Sequence, residues 1–154
     1  MLDTNHHTSA AIVLFNQDPI TLQKTIKAVQ ECEEINKLYL IDNSKVDCSS
    51  KYKNVNKIDY RFTEKNLGFG RAHNLIIDEI KNKFTHHLIL NPDVVFNPRD
   101  ISVLVCELEQ NENVSMISPK ANYPSGEMQY TCRKNPSFRE LIYRRLKFKK
   151  TYLY

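Results

Sequence analysis

Short apolar runs alternate along the chain with segments in which apolar residues recur every three or four positions. A short continuous apolar run is typical of a buried strand, and the wider spacing is typical of a helix that packs one face on a sheet. Strands and helices are therefore expected in alternation. The pattern predicts strands at 9–15, 38–41, 58–62, 87–90 and 114–117, and helices at 20–31, 72–80 and 101–108.

This alternation constrains how the elements assemble. Parallel strands need crossover connections, and right-handed crossovers place helices on both faces of the sheet. The expected fold class is α/β, with a doubly wound, mainly parallel sheet. A chain of 154 residues, 41% of them hydrophobic, is long enough for one such core. After Pro119 the periodicity ends, and a turn signal at 123–126 followed by 127–130 predicts a hairpin.

Polar residues follow four of the predicted strands. Sheets of this class bind ligands beyond the carboxyl ends of their strands, so these residues are the first candidates for a site. The segments are Phe15-Asn16, Asp42-Asn43-Ser44, the loop from Asn66 to Asn74, and Asn91-Pro92-Asp93.

Two carboxylates at this edge suit different ligands. Asp93 follows a proline at the end of an apolar strand, and a carboxylate there suits Mg²⁺ or Mn²⁺, which prefer oxygen ligands and accept phosphates in their shell. Asp42 can accept from a nucleobase N–H or a ribose hydroxyl. Each has an ordinary alternative, Asp93 as a turn or cap residue and Asp42 in an Asx-turn.

The loop 66–74 holds two of the three glycines and leads into a helix. Arg71 offers a planar donor group for a phosphate or a base, or else an ion pair with a surface carboxylate. The loop is a poor dinucleotide fingerprint, because His73 occupies the position of the third glycine.

Composition excludes several classes of protein, and it allows two interpretations of the basic segment near the end of the sequence. The histidines lack zinc-ligand spacing, the four cysteines are widely spaced as in reduced cytosolic proteins, and the apolar runs are too short to span a bilayer.

Residues 133–150 hold eight basic residues against a single acidic one, around apolar positions. This predicts a basic amphipathic helix at an anionic membrane, or a packing helix with a solvated basic face. Nothing resembles an aromatic platform for nucleic acid.

Four motifs in order resemble the family 2 glycosyltransferases, especially their rhamnosyltransferase-like branch, over about residues 9–137. They are Ala11-Ile-Val-Leu-Phe-Asn16, Leu40-Ile-Asp-Asn-Ser44, Asn66-Leu-Gly-Phe-Gly-Arg-Ala-His-Asn74 and Leu90-Asn-Pro-Asp93. The resemblance implies a GT-A fold, a nucleotide diphosphate sugar donor, a divalent cation (Mg²⁺ or Mn²⁺) and inversion at the anomeric carbon.

The resemblance also assigns roles to the motif residues. The metal ligand would be Asp93, the last acid of the family's D-x-D motif, which here begins with Asn91. The donor would contact Phe15, Asn16, Asp42, Asn43, Asn66, Gly68, Arg71 and Asn91. Residues 1–118 would form the donor-binding domain, and residues 119–154 would begin the acceptor side.

The family's catalytic base is expected beyond Tyr154, so the catalytic residue is unknown and the chain is expected to be a fragment or a natural truncation. The expected function is sugar transfer to a glycan or lipid-linked acceptor in cell-surface polysaccharide synthesis. The expected location is the cytoplasm, with peripheral contact at the inner face of the membrane. The alternative is a non-catalytic module that binds a nucleotide sugar or a partner.

Overall fold

The computed structural model of the protein describes residues 7–130. The chain divides into two compact units, Met1–Ile117 and Ser118–Tyr154, and each is described by itself. The predicted basic amphipathic segment within 133–150 lies outside the described residues.

The first unit alternates strands and helices around a four-stranded sheet. All three strand pairs are parallel, and the strand order is β3-β2-β1-β4. The prediction of an α/β fold with a doubly wound, parallel sheet is therefore confirmed. The elements are β1 (Thr8–Leu14), α1 (Pro19–Glu31), β2 (Ile35–Asp42), α2 (Ser49–Tyr52), β3 (Ile58–Phe62), α3 (Phe69–Asn74), α4 (Ile77–Lys83), β4 (His86–Leu90) and α5 (Pro98–Gln110).

Helices cover both faces of this sheet. On one face α1 and α5 pack through their apolar stripes, with Leu22, Val29 and Ile101 in one buried cluster with the strands. On the other face α3 and α4 pack on the central strands, where Ala72 and Ile76 are fully buried. This two-sided burial explains why β1 and β2 read as continuous apolar runs.

Caps fix where the two long helices begin. Asp18 Oδ2 accepts a 2.8 Å hydrogen bond from Thr21 N ahead of α1, and Asn97 Oδ1 accepts a 3.1 Å bond from Arg99 N ahead of α5. Both helices have proline in their first turn, where its missing N–H costs nothing. As a result, α1 begins directly after the loop that leaves β1, and α5 begins directly after the loop that leaves β4.

Three details of the sequence-based prediction are wrong. The strand expected at 114–117 does not form; Met116 is 87% exposed, and this segment pairs with no strand among the described residues. The single helix expected at 72–80 is broken into α3 and α4 at Leu75, which is exposed. Ile89 of β4 is 59% exposed and belongs to neither buried cluster of the sheet, whereas Leu90 of the same strand is buried.

The described part of the second unit is a small hairpin, as predicted. Strand β5 (Ala121–Asn122) runs antiparallel to β6 (Met128–Gln129), and Tyr123 N donates to Glu127 O at 2.8 Å. Gly126 has a φ of +89°, a conformation that favours glycine at this turn.

Two further findings, on the cysteines and on the helices, hold for the whole part of the chain that the structure describes. Its three cysteines, Cys32, Cys48 and Cys106, are free thiols. Among the described helices, none has the length and apolar character needed to cross a bilayer.

Candidate functional site at the carboxyl edge of the sheet

The ends of β1 and β2 come together at the edge where a ligand is expected. Strand pairing continues one step beyond β2, since Asn43 N donates to Leu14 O at 2.9 Å. Next to this bond, Asn16 N donates to Ser44 Oγ at 2.8 Å. Asn16 has a φ of +53°, a left-handed conformation that asparagine tolerates better than most residues. The structure therefore joins Asn16 to the Asp42-Asn43-Ser44 segment, as the strand-end argument predicts.

Asp42 is a buried carboxylate that organises this edge. It is 3% exposed, its Oδ1 accepts a 2.8 Å bond from Ser44 N, and its Oδ2 accepts a 2.7 Å bond from the Tyr60 hydroxyl. The Ser44 bond is the Asx-turn that the sequence left open as an alternative. An ionised carboxylate has about four acceptor sites, so two remain for donors of a ligand.

Tyr60 was not anticipated from the sequence. Its hydroxyl donates to Asp42 and accepts from Cys48 N at 3.0 Å, so it ties the strand end to the following loop. Burial is the main cause that raises the pKa of the Tyr60 phenol, and the bond to Asp42 raises it further. The phenol is therefore held protonated as a donor to the carboxylate. Its ring stacks on Tyr52 at 5.2 Å between centroids.

A cavity of about 160 Å³ opens beside these groups, and it is the candidate pocket for a small ligand. Its wall combines hydrogen-bonding groups with an aromatic surface. Phe15 is 45% exposed and is not part of that wall. The lining includes Asn16, Asp42, Ser44, Cys48 and Tyr52.

Asn43 lies behind the site rather than on its surface. It is 2% exposed, and its Oδ1 accepts a 2.9 Å bond from Thr63 Oγ1, while its Nδ2 lies 3.4 Å from Gly68 O. Its amide thus anchors the loop 66–74 to the end of β2. The sequence predicted that Asn43 contacts the nucleotide sugar, whereas the hydrogen bonds in this structure give it an anchoring role. Thr63 was not predicted at all.

The loop that carries Arg71 is shaped by local bonds. Asn66 Oδ1 accepts a 2.8 Å bond from Gly68 N, and Gly68 has a φ of +76°. Helix α3 is only six residues long, so the contribution of its dipole to anion binding is small. Arg71 is exposed, and within residues 7–130 it makes no ion pair. Its guanidinium is therefore available to a ligand from solvent.

The Asn91-Pro92-Asp93 segment forms a turn at the end of β4. Val94 N lies 3.4 Å from Asn91 O across the turn, and Pro92 O accepts a 2.8 Å bond from the hydroxyl of Thr25 in α1. Asp93 is exposed, and its carboxylate makes no hydrogen bond or ion pair to residues of the described range. Thr25 was missed, although a threonine on the apolar face of a helix is a signal that can be read from the sequence.

The Asn91-Pro92-Asp93 turn fits a metal ion only when a ligand supplies most of the metal's coordinating atoms. Within residues 7–130, no three histidine, cysteine or acidic side chains gather closely enough to hold a metal ion by themselves. Asp93 offers one unpaired carboxylate, which suits a Mg²⁺ or Mn²⁺ ion whose remaining ligands are phosphates and water. The chemistry here therefore fits a metal brought in with a diphosphate.

The parallel sheet, its strand order and the polar carboxyl edge define a GT-A-type α/β domain. Residues 9–154 match the model of the family described as Glycosyl transferase family 2, so the chain belongs to that family. Membership assigns glycosyl transfer as the class of reaction, with a nucleotide sugar donor and an acceptor as substrates in general terms. A search of curated proteins finds no match to the chain.

Proposed function

We propose that this domain binds a nucleotide diphosphate sugar across the carboxyl edge of its sheet and transfers the sugar, with inversion, to a glycan or lipid-linked acceptor. The observation that carries the proposal is the buried Asp42 carboxylate in the wall of a cavity of about 160 Å³, at the ends of β1 and β2. A carboxylate with free acceptor sites in such a cavity suits the N–H and hydroxyl donors of a nucleoside.

The nucleoside end of the donor is assigned to this cavity. Asp42 is fixed by Tyr60 and Ser44, so it is oriented before the ligand arrives. The Tyr52 ring lines the cavity and adds an apolar wall for a flat base. Asn16 lines the same cavity, and its side chain would contact a ribose hydroxyl or a phosphate.

The diphosphate end is assigned to the loops after β3 and β4. Arg71 is exposed and unpaired within the described range, and its planar group matches phosphate oxygens. Asp93 would hold a divalent cation whose remaining ligands come from the diphosphate and water, and Asn91 would contact the donor beside it. When bound, that cation supplies positive charge against the negative charge that develops on the departing nucleotide.

In the proposed reaction, the acceptor hydroxyl attacks the anomeric carbon, the new glycosidic bond forms, and the bond to the donor phosphate breaks. The hydroxyl proton passes to a general base, and the nucleotide leaves as the diphosphate. The general base and the acceptor residues are expected beyond the donor edge. The proposed setting is cell-surface polysaccharide synthesis, in the cytoplasm at the inner face of the membrane.

Calorimetry tests donor binding. The chain is titrated with uridine, thymidine and guanosine diphosphates, each with and without MnCl₂. We expect one of them to bind, and Mn²⁺ to tighten that binding. Asp93→Ala should remove the gain from Mn²⁺, whereas Asp100→Ala, an exposed carboxylate in the first turn of α5, should retain it. An Asp93→Ala chain that keeps the full gain would contradict the assignment of Asp93.

Assays of donor hydrolysis and of transfer to lipid-linked acceptors separate an enzyme from a non-catalytic nucleotide-sugar or partner-binding module. Release of the nucleoside diphosphate that depends on the acceptor supports transfer. Donor binding without turnover for any acceptor supports the binding module instead.

A further inference from the structure

We infer that Thr25 is a positioning residue for Asp93, so that a buried hydroxyl of α1 sets the geometry of the proposed metal site. The inference rests on the proposed function. Thr25 is fully buried, and its Oγ1 donates a 2.8 Å hydrogen bond to Pro92 O, 67 residues away in the sequence. No other side chain among residues 7–130 donates a hydrogen bond to the backbone of the Asn91-Pro92-Asp93 turn.

The covalent structure of the turn gives this bond its effect. Pro92 O and Asp93 N belong to one planar peptide unit, so a bond that fixes the carbonyl also fixes the direction in which Asp93 leaves the turn. Pro92 has no N–H and contributes only this carbonyl to hydrogen bonding. The turn's own backbone contact, between Val94 N and Asn91 O, is long at 3.4 Å. The bond from Thr25 is therefore the short contact that holds the turn.

The ordinary role of a threonine hydroxyl inside a helix is a bond to the carbonyl one turn earlier. Here the corresponding contact, from Thr25 to Thr21 O, measures 3.4 Å, which is longer than the 2.8 Å bond to Pro92. The geometry therefore favours the turn over the helix as the principal acceptor.

Helix α1 also reaches the other end of the proposed donor site. It begins at the Asp18 cap, directly after the loop that carries Asn16. The same helix therefore lines the cavity through Pro19 and Leu22 and contacts the Asp93 turn through Thr25. We expect Thr25 to affect the contribution of the metal more strongly than the contribution of the nucleoside.

Thr25→Val tests the inference, because it keeps the shape of the side chain and removes the hydroxyl. The measured quantity is the factor by which MnCl₂ tightens binding of uridine, thymidine or guanosine diphosphate to the full chain. Thr25→Val should lower this factor about 10-fold, as is typical when a group that orients a metal ligand is lost. Affinity without metal should change little, and Thr25→Ser should restore the factor.

Thr21→Val is the matched control on the same helix, since it also removes a threonine hydroxyl bond, here to Asp18, whereas the bond to the turn comes from Thr25. It should retain the factor. Amide exchange at Val94, measured without ligand, should speed up in Thr25→Val alone. Unchanged metal dependence in Thr25→Val overturns the inference. A wild-type chain that shows no effect of Mn²⁺ contradicts the proposed function itself and the role of Thr25 with it, even where exchange at Val94 rises.

Discussion

The Tyr60 hydroxyl donates a 2.7 Å hydrogen bond to Asp42 Oδ2, which joins the end of β2 to the neighbouring strand β3. The same hydroxyl accepts from Cys48 N, so one phenol positions both the carboxylate and the loop that walls the cavity. Tyr60 therefore orients Asp42 before a ligand binds.

Tyr60→Phe should destabilise the fold and weaken nucleotide binding together. The change leaves one oxygen of a buried carboxylate and the Cys48 amide without their partner, at a cost of about 2 kcal/mol in the free energy of unfolding. Urea unfolding and calorimetry with the bound nucleoside diphosphate measure the two effects. Tyr52→Phe is the control, because the Tyr52 ring stacks on Tyr60 while its hydroxyl makes no hydrogen bond within residues 7–130. Equal binding by Tyr60→Phe and the wild type would contradict the role of Asp42 in the cavity.

Nucleotide should protect Cys48 from alkylation. This thiol is partly exposed and lines the cavity, whereas Cys106 is exposed on α5 and does not line the cavity. Labelling with iodoacetamide, followed by peptide mass spectrometry, compares the two thiols in one sample. Saturating nucleoside diphosphate should slow labelling of Cys48 several-fold and leave Cys106 unchanged. Equal labelling of Cys48 with and without nucleotide would place the nucleoside elsewhere.

His87 should make the fold sensitive to mild acid. Burial, and to a smaller extent the nearby His73, lower the pKa of His87 from 6.5 to about 4. The unfolded chain therefore binds more protons than the folded chain between these two values. The stability that the neutral His87 contributes is present above pH 6.5 and is lost progressively as the pH falls to about 4.

Urea unfolding at pH 7 and pH 5 measures this loss, and His87→Gln should reduce the difference between the two. Ser9→Ala serves as a comparison, because the Ser9 hydroxyl lies 2.8 Å from His87 Nδ1, whereas the lowered pKa of His87 comes from burial and from His73. It should lower stability at both pH values and keep most of the difference. A His87→Gln chain with the same pH dependence as the wild type would show that His87 is not its source.

Local patterns in the sequence predicted most of the fold. The apolar runs that form β1 and β2 are buried on both faces, and the apolar stripes of α1 and α5 face the core. In these elements the pattern of apolar residues therefore matches the buried positions. Segment 114–117 has a similar apolar character but pairs with no strand in the described residues. A strand needs a neighbour, and a local pattern cannot show whether one is present.

The candidate site was predictable only in part, for the same reason. The rule for strand ends found Asn16 and Asp42, because it depends on topology alone. It could not find Tyr60, Thr63 or Thr25, whose bonds to the site span 18, 20 and 67 residues. These residues act through contacts that exist only after the sheet has assembled.

A structure of the chain with its nucleoside diphosphate and Mn²⁺ tests the central claim most directly. The proposed function predicts the base in the cavity beside Asp42, and the metal between the diphosphate and Asp93, with an oxygen of Asp93 about 2.1 Å from the ion. A nucleotide bound away from the ends of β1 and β2, or a metal coordinated without Asp93, would contradict it.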